Sequence, residues 1–258
     1  MEGKIVNYLS DEKALTDKLY EGNDVEFLMQ YSPIRGNILE WYELEEDSNV
    51  LIIGSDSPVI TKLMCQKAGK ITLLENDPYQ IGIEQENQSA FDNITICDGE
   101  LSDLEIDHKY DYIVMINSLG KAARLVHSDN PVIDLLTISR SLLSRSGQII
   151  IAEDNAYGIK YVSGVIRPKG LYSRHQIDDM LHKTGYTRWD YYYPMPDYKM
   201  CAEIYSDNRL PDIGDMREIS ATYDQSQVRF YDEVELFEDV CHRGQFPEYA
   251  NSYLIIGS

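Results

Sequence analysis

The sequence predicts an α/β fold with a mostly parallel sheet and helices on both faces. The first observation behind this is Asn49 to Glu75, NVLIIGSDSPVITKLMCQKAGKITLLE, which reads as strand, turn, helix, strand. Val50 to Ile53 is a continuous apolar run, the pattern of a strand buried on both faces, and Gly54 breaks it where the chain must turn. The second is the alternation of further apolar runs, at Asn93 to Cys97, Lys109 to Asn117 and Gly147 to Asp154, with helical segments, the order that builds a parallel sheet. The third is a late pair of runs, Tyr186 to Tyr193 and Ser252 to Gly257, which brings the expected strands to seven.

Ahead of the first strand, residues 4 to 31 form a leader of moderate helical content, with a helix starting at an Asn23 or Asp24 cap. From Tyr31 to Leu44, Ile34, Ile38, Leu39, Trp41 and Tyr42 give a helical stripe, and an acidic turn, Glu45 to Ser48, leads into the sheet. Residues 1–48 are therefore expected to form a helical cover and 49–258 the α/β domain. Ser57 followed by Pro58 supplies an N-cap hydroxyl and a proline at the first helical position. Pro78 to Phe91 and Pro131 to Leu143 read as helices, the second with Ile133, Leu136, Ile138, Leu142 and Leu143 facing the sheet. Tyr157 to Tyr172 lacks periodicity, as a loop over a site would. Ser173 with Gln176 forms a capping box that opens a helix to Thr184 and makes His175 a surface residue. Pro194 to Pro247 reads as a loop-rich insertion with one helix around Tyr231 to Arg243.

Charge narrows the partners. With 44 acids against 23 bases the formal net charge is −21, which argues against nucleic acid or an anionic membrane surface, since phosphate binding relies on clustered Lys and Arg. Cys65, Cys97, Cys201 and Cys241 lie far apart and show no metal-binding spacing, so reduced thiols are expected. No apolar run reaches the roughly 18 residues of a membrane span, and residues 1 to 20 lack a signal-peptide core, which makes the cytoplasm the expected location.

Several polar residues fall where the ends of the strands would hold a ligand. Glu75 lies roughly 20 residues past the turn glycine, the position of ribose-binding acids in mononucleotide-binding folds. Asp98 and Gly99 follow the third strand, where Asp98 is placed either to meet an adenine amino group or to make a turn before glycine. Asn117 ends the fourth strand, and Glu153, Asp154 and Asn155 end the fifth, as site residues or as a cap and solvated loop.

Taken with these positions, the chain resembles a class I S-adenosylmethionine (SAM)-dependent methyltransferase. SPIRGNILEWYEL, IAEDNAYGIKYVSG, LYSRHQIDDML, YYYPMPDYKMCAEIYSDNRLP and FPEYANSYLI, spanning residues 32 to 256, resemble the methyltransferases found with bacterial surface-polysaccharide glycosyltransferases. That resemblance implies a seven-stranded Rossmann-like sheet with a reversed last strand, SAM as cofactor, and a sugar or glycan acceptor under the later loops. It places Gly54, Ser55, Glu75, Asn76, Asp98, Gly99 and Asn117 at the cofactor. It also offers Glu153, Asp154 or Asp197 as the catalytic base and places Asn155, Tyr157, Tyr198 and Lys199 at the acceptor. A homodimer or a glycosyltransferase partner would fit it.

Where the family has an acid in the first strand and more glycines in the turn, this chain has Ile52, Asp56 and Pro58. The turn is expected to suit the fold better than the ligand, with Asp56 an unpaired negative charge beside the cofactor carboxylate, worth about tenfold in affinity. The loop from Gly164 to Leu171 is shorter than the family's lid. Three readings follow: O-methylation of a glycan precursor, a methyltransferase-like protein that has lost catalysis and binds glycan enzymes, or nicotinamide-dependent oxidoreduction on a Rossmann sheet, which the late paired strands and the missing GxGxxG disfavour.

Overall fold

The computed structural model describes residues 7–22, 24–104, 109–218 and 230–258. Eight strands form its sheet: β1 (Asn49–Ile53), β2 (Lys70–Glu75), β3 (Ile94–Asp98), β4 (Tyr110–Ile116), β5 (Leu143–Asp154), β6 (Trp189–Met195), β7 (Glu203–Ser206) and β8 (Ser252–Gly257). Their order is β3-β2-β1-β4-β5-β8-β6-β7. β1 to β5 pair in parallel, and β8 inserts antiparallel between β5 and β6. The reversed last strand is thus present, but the sheet has one strand more than the seven expected. The extra one, β7, pairs antiparallel with β6 from within the segment read as loop-rich. Its four residues, EIYS, are too few to show a period, and pairing with β6 decides their conformation.

Side chains of neighbouring strand residues divide between the two faces as a period of two requires. Leu51, Ile53, Ile113, Met115, Ile149 and Ile151 pack in one layer, with Leu135 and Leu136 of the Pro131–Leu142 helix and Ile177 and Leu181 of the Arg174–Lys183 helix. Val50, Ile52, Ile71, Leu73, Val114 and Ile150 pack in the other, with Ile60 and Met64 of the Pro58–Lys67 helix and with Ile38 and Leu39 from ahead of the first strand. The uninterrupted apolar runs are explained by this double burial.

Caps set the helix starts. Asp24 accepts from the Phe27 N–H, Ser57 from Val59, Asp77 from Tyr79, and Ser173 makes the capping box with Gln176. The stripe from Tyr31 to Leu44 departs from expectation. The Val25–Tyr31 helix stops before Ser32, whose ψ of 131° is the extended value that a following proline imposes. A 3-10 turn, Pro33–Gly36, and one helical turn, Asn37–Glu40, then carry Arg35 under the sheet edge. β6 also starts later than Tyr186, because the Thr187 and Arg188 N–H groups donate to the Ser258 carbonyl instead.

Candidate functional site

β1 is flanked by β2 on one side and β4 on the other, so chain connections leave the sheet in opposite directions at its C-terminal edge. Open α/β sheets bind ligands in the crevice formed at such a point. Two adjoining spaces occur there, sharing Asp56 and Gln80. One is a crevice of about 100 Å³ lined by Gly54, Ser55, Glu75, Asn76 and Arg124. The other is a cavity of about 530 Å³ lined by Gln30, Arg35, Asp56, Tyr79, Asn117 and Lys199.

The turn between them is held from below and from the side. Gly54 has φ +76°, and a Cβ there would lie 3.3 Å from Ser118 Oγ, so a side chain would add steric crowding to an unfavourable backbone. Glu75 Oε2 accepts the Ser55 N–H at 2.8 Å, while Oε1 accepts those of Asn76 and Asp77 at 2.8 and 2.9 Å. Beneath the turn lies Glu84, fully buried, whose carboxylate accepts from Ser55 Oγ, from Thr61 Oγ1 at 3.0 Å and from Gln88 Nε2 at 3.1 Å. Burial raises the Glu84 pKa although these donors work against it.

Asp56 is not an unpaired charge, contrary to the expectation from sequence. Arg35 Nη2 donates to its Oδ2, and Asn117 Nδ2 donates to its Oδ1 at 3.1 Å. Asn117 reaches it from φ 56°, a left-handed conformation that asparagine tolerates better than most residues. Arg35 is 2% exposed, and its Nε and Nη1 have no hydrogen-bond partner among the described residues.

Next to this pair, a buried ionic cluster joins β5 to the segment after β6. Lys160 Nζ lies 2.6 Å from Asp154 Oδ1 and 3.6 Å from Asp197 Oδ2, and Lys199 Nζ lies 3.6 Å from Asp154 Oδ2. Burial alone would lower the Lys160 pKa, but Asp154 and Asp197 outweigh it and raise the group, so Lys160 is a cation. Asp197 Oδ1 also accepts the Lys199 and Met200 N–H groups. The Tyr198 ring has Lys199 Nζ 5.4 Å and the Arg35 guanidinium 5.8 Å from its centre.

The residues singled out in the sequence therefore separate into groups. Gly54, Ser55, Glu75 and Asn76 line the small crevice, and Asn117 and Lys199 line the larger cavity. Asp154, Asp197 and Tyr198 meet in the cluster beside it. Asp98 pairs in register with Glu75, but it is exposed, and neither it nor Gly99 is among the residues lining the crevice. Glu153 points away into the interior, where Oε1 accepts the Leu119 N–H at 2.6 Å. Burial pushes its pKa up to about 8, with the Leu119 N–H opposing and Asp154 and Asp56 adding to the rise. Asn155 is buried and donates to the Glu248 and Ala250 carbonyls, which ties β5 to the approach of β8. Tyr157 is exposed. Sequence reasoning missed Arg35, Glu84 and Lys160. Glu84 and Gln88, four apart and three beyond Ile81 on the buried side of the Pro78–Asn87 helix, carried a signal; Arg35 and Lys160 showed only as lone cations among apolar residues.

No family model matches the chain. A segment of 97 residues, 37% of the chain, is 28% identical to the ribosomal RNA small subunit methyltransferase A of Syntrophus aciditrophicus, and it spans only 32% of that protein's length. Among solved structures, a TehB-like SAM-dependent methyltransferase from Corynebacterium glutamicum aligns over 96% of this chain and 99% of its own, at 9% identity and a TM-score of 0.52. A methyltransferase structure from Bacillus halodurans covers 64% of the chain and 76% of its own, at 10% identity and a TM-score of 0.48. The strand order, the reversed β8 and the whole-chain alignment together give this chain the Rossmann-like fold of class I methyltransferases, with β7 added at one edge.

Proposed function

We propose that the protein is a SAM-dependent O-methyltransferase whose acceptor is a hydroxyl of a sugar or glycan precursor. The observation that carries this reading is the adjacency of the two spaces at the β1/β4 edge. Glu75 stands at the first, where a ribose would lie, and the Asp154–Lys199 pair stands beside the second. The residues present fit SAM on two counts: an acid ends β2 at the small crevice, and Arg35, a buried guanidinium with two unpartnered donors, lines the adjoining cavity. When bound, the cofactor would supply an electrophilic methyl group on a sulfonium, for transfer in line to an acceptor oxygen with the thioether S-adenosylhomocysteine as the leaving group.

This chain's own contribution would be positioning and proton removal. Gly54 and Ser55 orient the cofactor across the turn, and the carboxylate of Asp154 receives the acceptor hydroxyl's proton as the oxygen–carbon bond forms. Lys160 and Lys199 hold that carboxylate in place. Asp197 serves as the anchor of Lys160 and of the Lys199 backbone. Calorimetry with S-adenosylhomocysteine tests the cofactor part, with micromolar binding expected; absence of heat at millimolar ligand would remove the reading. Mass spectrometry of glycan precursors incubated with protein and SAM tests the acceptor part, the expected product gaining one methyl group.

A second reading, a methyltransferase-like protein that has lost cofactor binding, is favoured by one observation. The crevice at Glu75 is far below the roughly 300–1,000 Å³ of ordinary ligand pockets, and all three backbone donors around Glu75 are already bound to it.

A further inference from the structure

We infer that the sheet edge opposite the crevice, where β5 and β6 begin and β8 ends, binds a neutral oligosaccharide, with Trp41 as a stacking platform and Gln148 and Asp190 as hydrogen-bonding groups. This site does not depend on the methyltransferase reading, because it lies at the other end of the strands. Trp41 directly follows the Asn37–Glu40 turn, and its Nε1 donates to the Ile38 carbonyl at 2.9 Å, which uses the indole's only donor. Its ring centre lies 5.0 Å from that of Tyr192, at 52°, and 5.7 Å from that of Tyr42, at 80°. Two neighbouring rings and a hydrogen bond thus fix the indole, yet Trp41 is 44% exposed. A large ring held in place with its N–H already used offers a ligand only apolar surface, and the C–H face of a sugar ring packs on such a surface.

The polar groups beside the ring suit a polyhydroxyl ligand. Tyr42 Oη donates to Gln148 Oε1 at 2.6 Å, which leaves the Gln148 NH₂ group as a donor pair. Asp190 pairs with Ile256 and lies two residues before Tyr192, so it shares that residue's face of β6. Gln148 and Asp190 line a cavity of about 470 Å³ together with Arg188 and Trp189. Arg188 and Asp190 are exposed, and neither makes an ion pair among the described residues. A carboxylate accepts, while an amide NH₂ and a guanidinium donate; sugar hydroxyls answer both. Arg188 and Asp190 offset each other in charge, and a chain of net charge −21 repels a polyanion, so the ligand that fits is neutral. Trp189 Nε1 donates to Asp178 Oδ1 at 2.8 Å, so both tryptophans of the chain stand at this edge with their N–H groups engaged.

Because both tryptophans stand there, intrinsic fluorescence of the intact protein reads this edge directly. Titration with maltoheptaose and with a neutral mannan oligosaccharide should change the emission with millimolar or tighter affinity for at least one of them. Asp190→Ala, at an exposed position, should weaken that binding by about tenfold. Trp41→Ala, read by calorimetry because it removes one reporter, should weaken it by about tenfold as well, with the melting temperature reporting that the variant is folded. No response to either neutral sugar at about 10 mM overturns the inference, as does binding that both variants leave unchanged. Tighter binding of oligogalacturonate than of the neutral sugars overturns the assigned class. Self-association in sedimentation that Trp41→Ala abolishes, with no response to sugar, would assign the ring to a second copy of the chain instead. Saturating S-adenosylhomocysteine should leave the sugar affinity unchanged, and sugar binding without any binding of S-adenosylhomocysteine would remove the methyltransferase reading while leaving this site in place.

Discussion

The Ser55 N–H donates to Glu75 Oε2 at 2.8 Å, joining the turn after β1 to the end of β2 across 20 residues of sequence. The acid expected to hold a ribose also organises the backbone around it. With Oε1 on Asn76 and Asp77, one carboxylate satisfies three N–H groups.

Replacing Glu75 by Ala should therefore affect folding as well as binding. Three donors lose their acceptor, and each buried unsatisfied group costs about 1–3 kcal/mol before water relieves it. A loss of more than about 2 kcal/mol in urea unfolding is expected for Glu75→Ala, and a smaller loss for Glu75→Gln, which keeps one acceptor oxygen. Equal stability of Glu75→Ala and the unaltered protein would show that these three hydrogen bonds do not support the fold.

Asp56 makes a contrast between sequence and structure testable. Reading the turn as damaged predicts that Asp56→Gly improves cofactor affinity. The Arg35 pair predicts a loss of stability instead, because the substitution strands a guanidinium that is 2% exposed. Breaking a buried pair from one side costs about 3–5 kcal/mol. Thermal unfolding of Asp56→Gly should reveal a large loss, partly recovered when Arg35→Gln is added; an unchanged melting temperature would contradict the pairing.

What the sequence reveals follows the range over which its signals act. The caps at Asp24, Ser57 and Ser173 were legible because hydroxyls and carboxylates act on N–H groups two or three residues away. β1, β2, β4 and β5 were legible because burial on both faces leaves an unbroken apolar run. Arg35 with Asp56 is 21 residues apart, and Ser55 with Glu84 is 29 apart, and such pairings leave no periodic trace. Asp56 looked unpaired for that reason. β7 leaves no such trace, because four residues in a register set by β6 carry no pattern of their own.

Glu153 predicts a pH dependence with a definite sign. Its folded pKa of about 8 exceeds the ordinary carboxylate value of 4.5. Between those values the folded state binds more protons than the unfolded state, so stability falls as pH rises. The contribution is full below about pH 4.5 and is lost through pH 8. Glu153→Gln, which resembles the protonated side chain, should flatten that part of the profile relative to the unaltered protein. Urea midpoints at pH 5 and pH 8 check this, and parallel profiles for the two proteins would rule out Glu153 as the titrating group.

Lys160 balances Asp154 and Asp197, both buried. Lys160→Met leaves them facing each other with Lys199 as the remaining cation near Asp154. A loss of about 3–5 kcal/mol is expected at neutral pH. A loss below about 1 kcal/mol at pH 7 would show that Lys160 is not needed to compensate them.

The last prediction concerns entry to the crevice at Glu75. Asn76 Nδ2 donates to the Arg124 carbonyl, and Arg124 Nη1 lies 4.0 Å from the Asp77 carboxylate. These contacts join the loop after β2 to the short Ala122–Leu125 helix across a space of about 100 Å³, too small for an adenosine unless the two sides part. Both contacts are exposed, and the Asn76 hydrogen bond, closer than the 4.0 Å ion pair, is the tighter of the two that opening must break. Asn76→Ala removes that bond and should speed association of S-adenosylhomocysteine by several-fold. Stopped-flow fluorescence reads the association rate directly. If parting of the bridge limits entry, the gain is seen in that rate whatever happens to dissociation, because only the first step is relieved. An association rate equal to that of the unaltered protein would mean that the bridge does not gate the crevice.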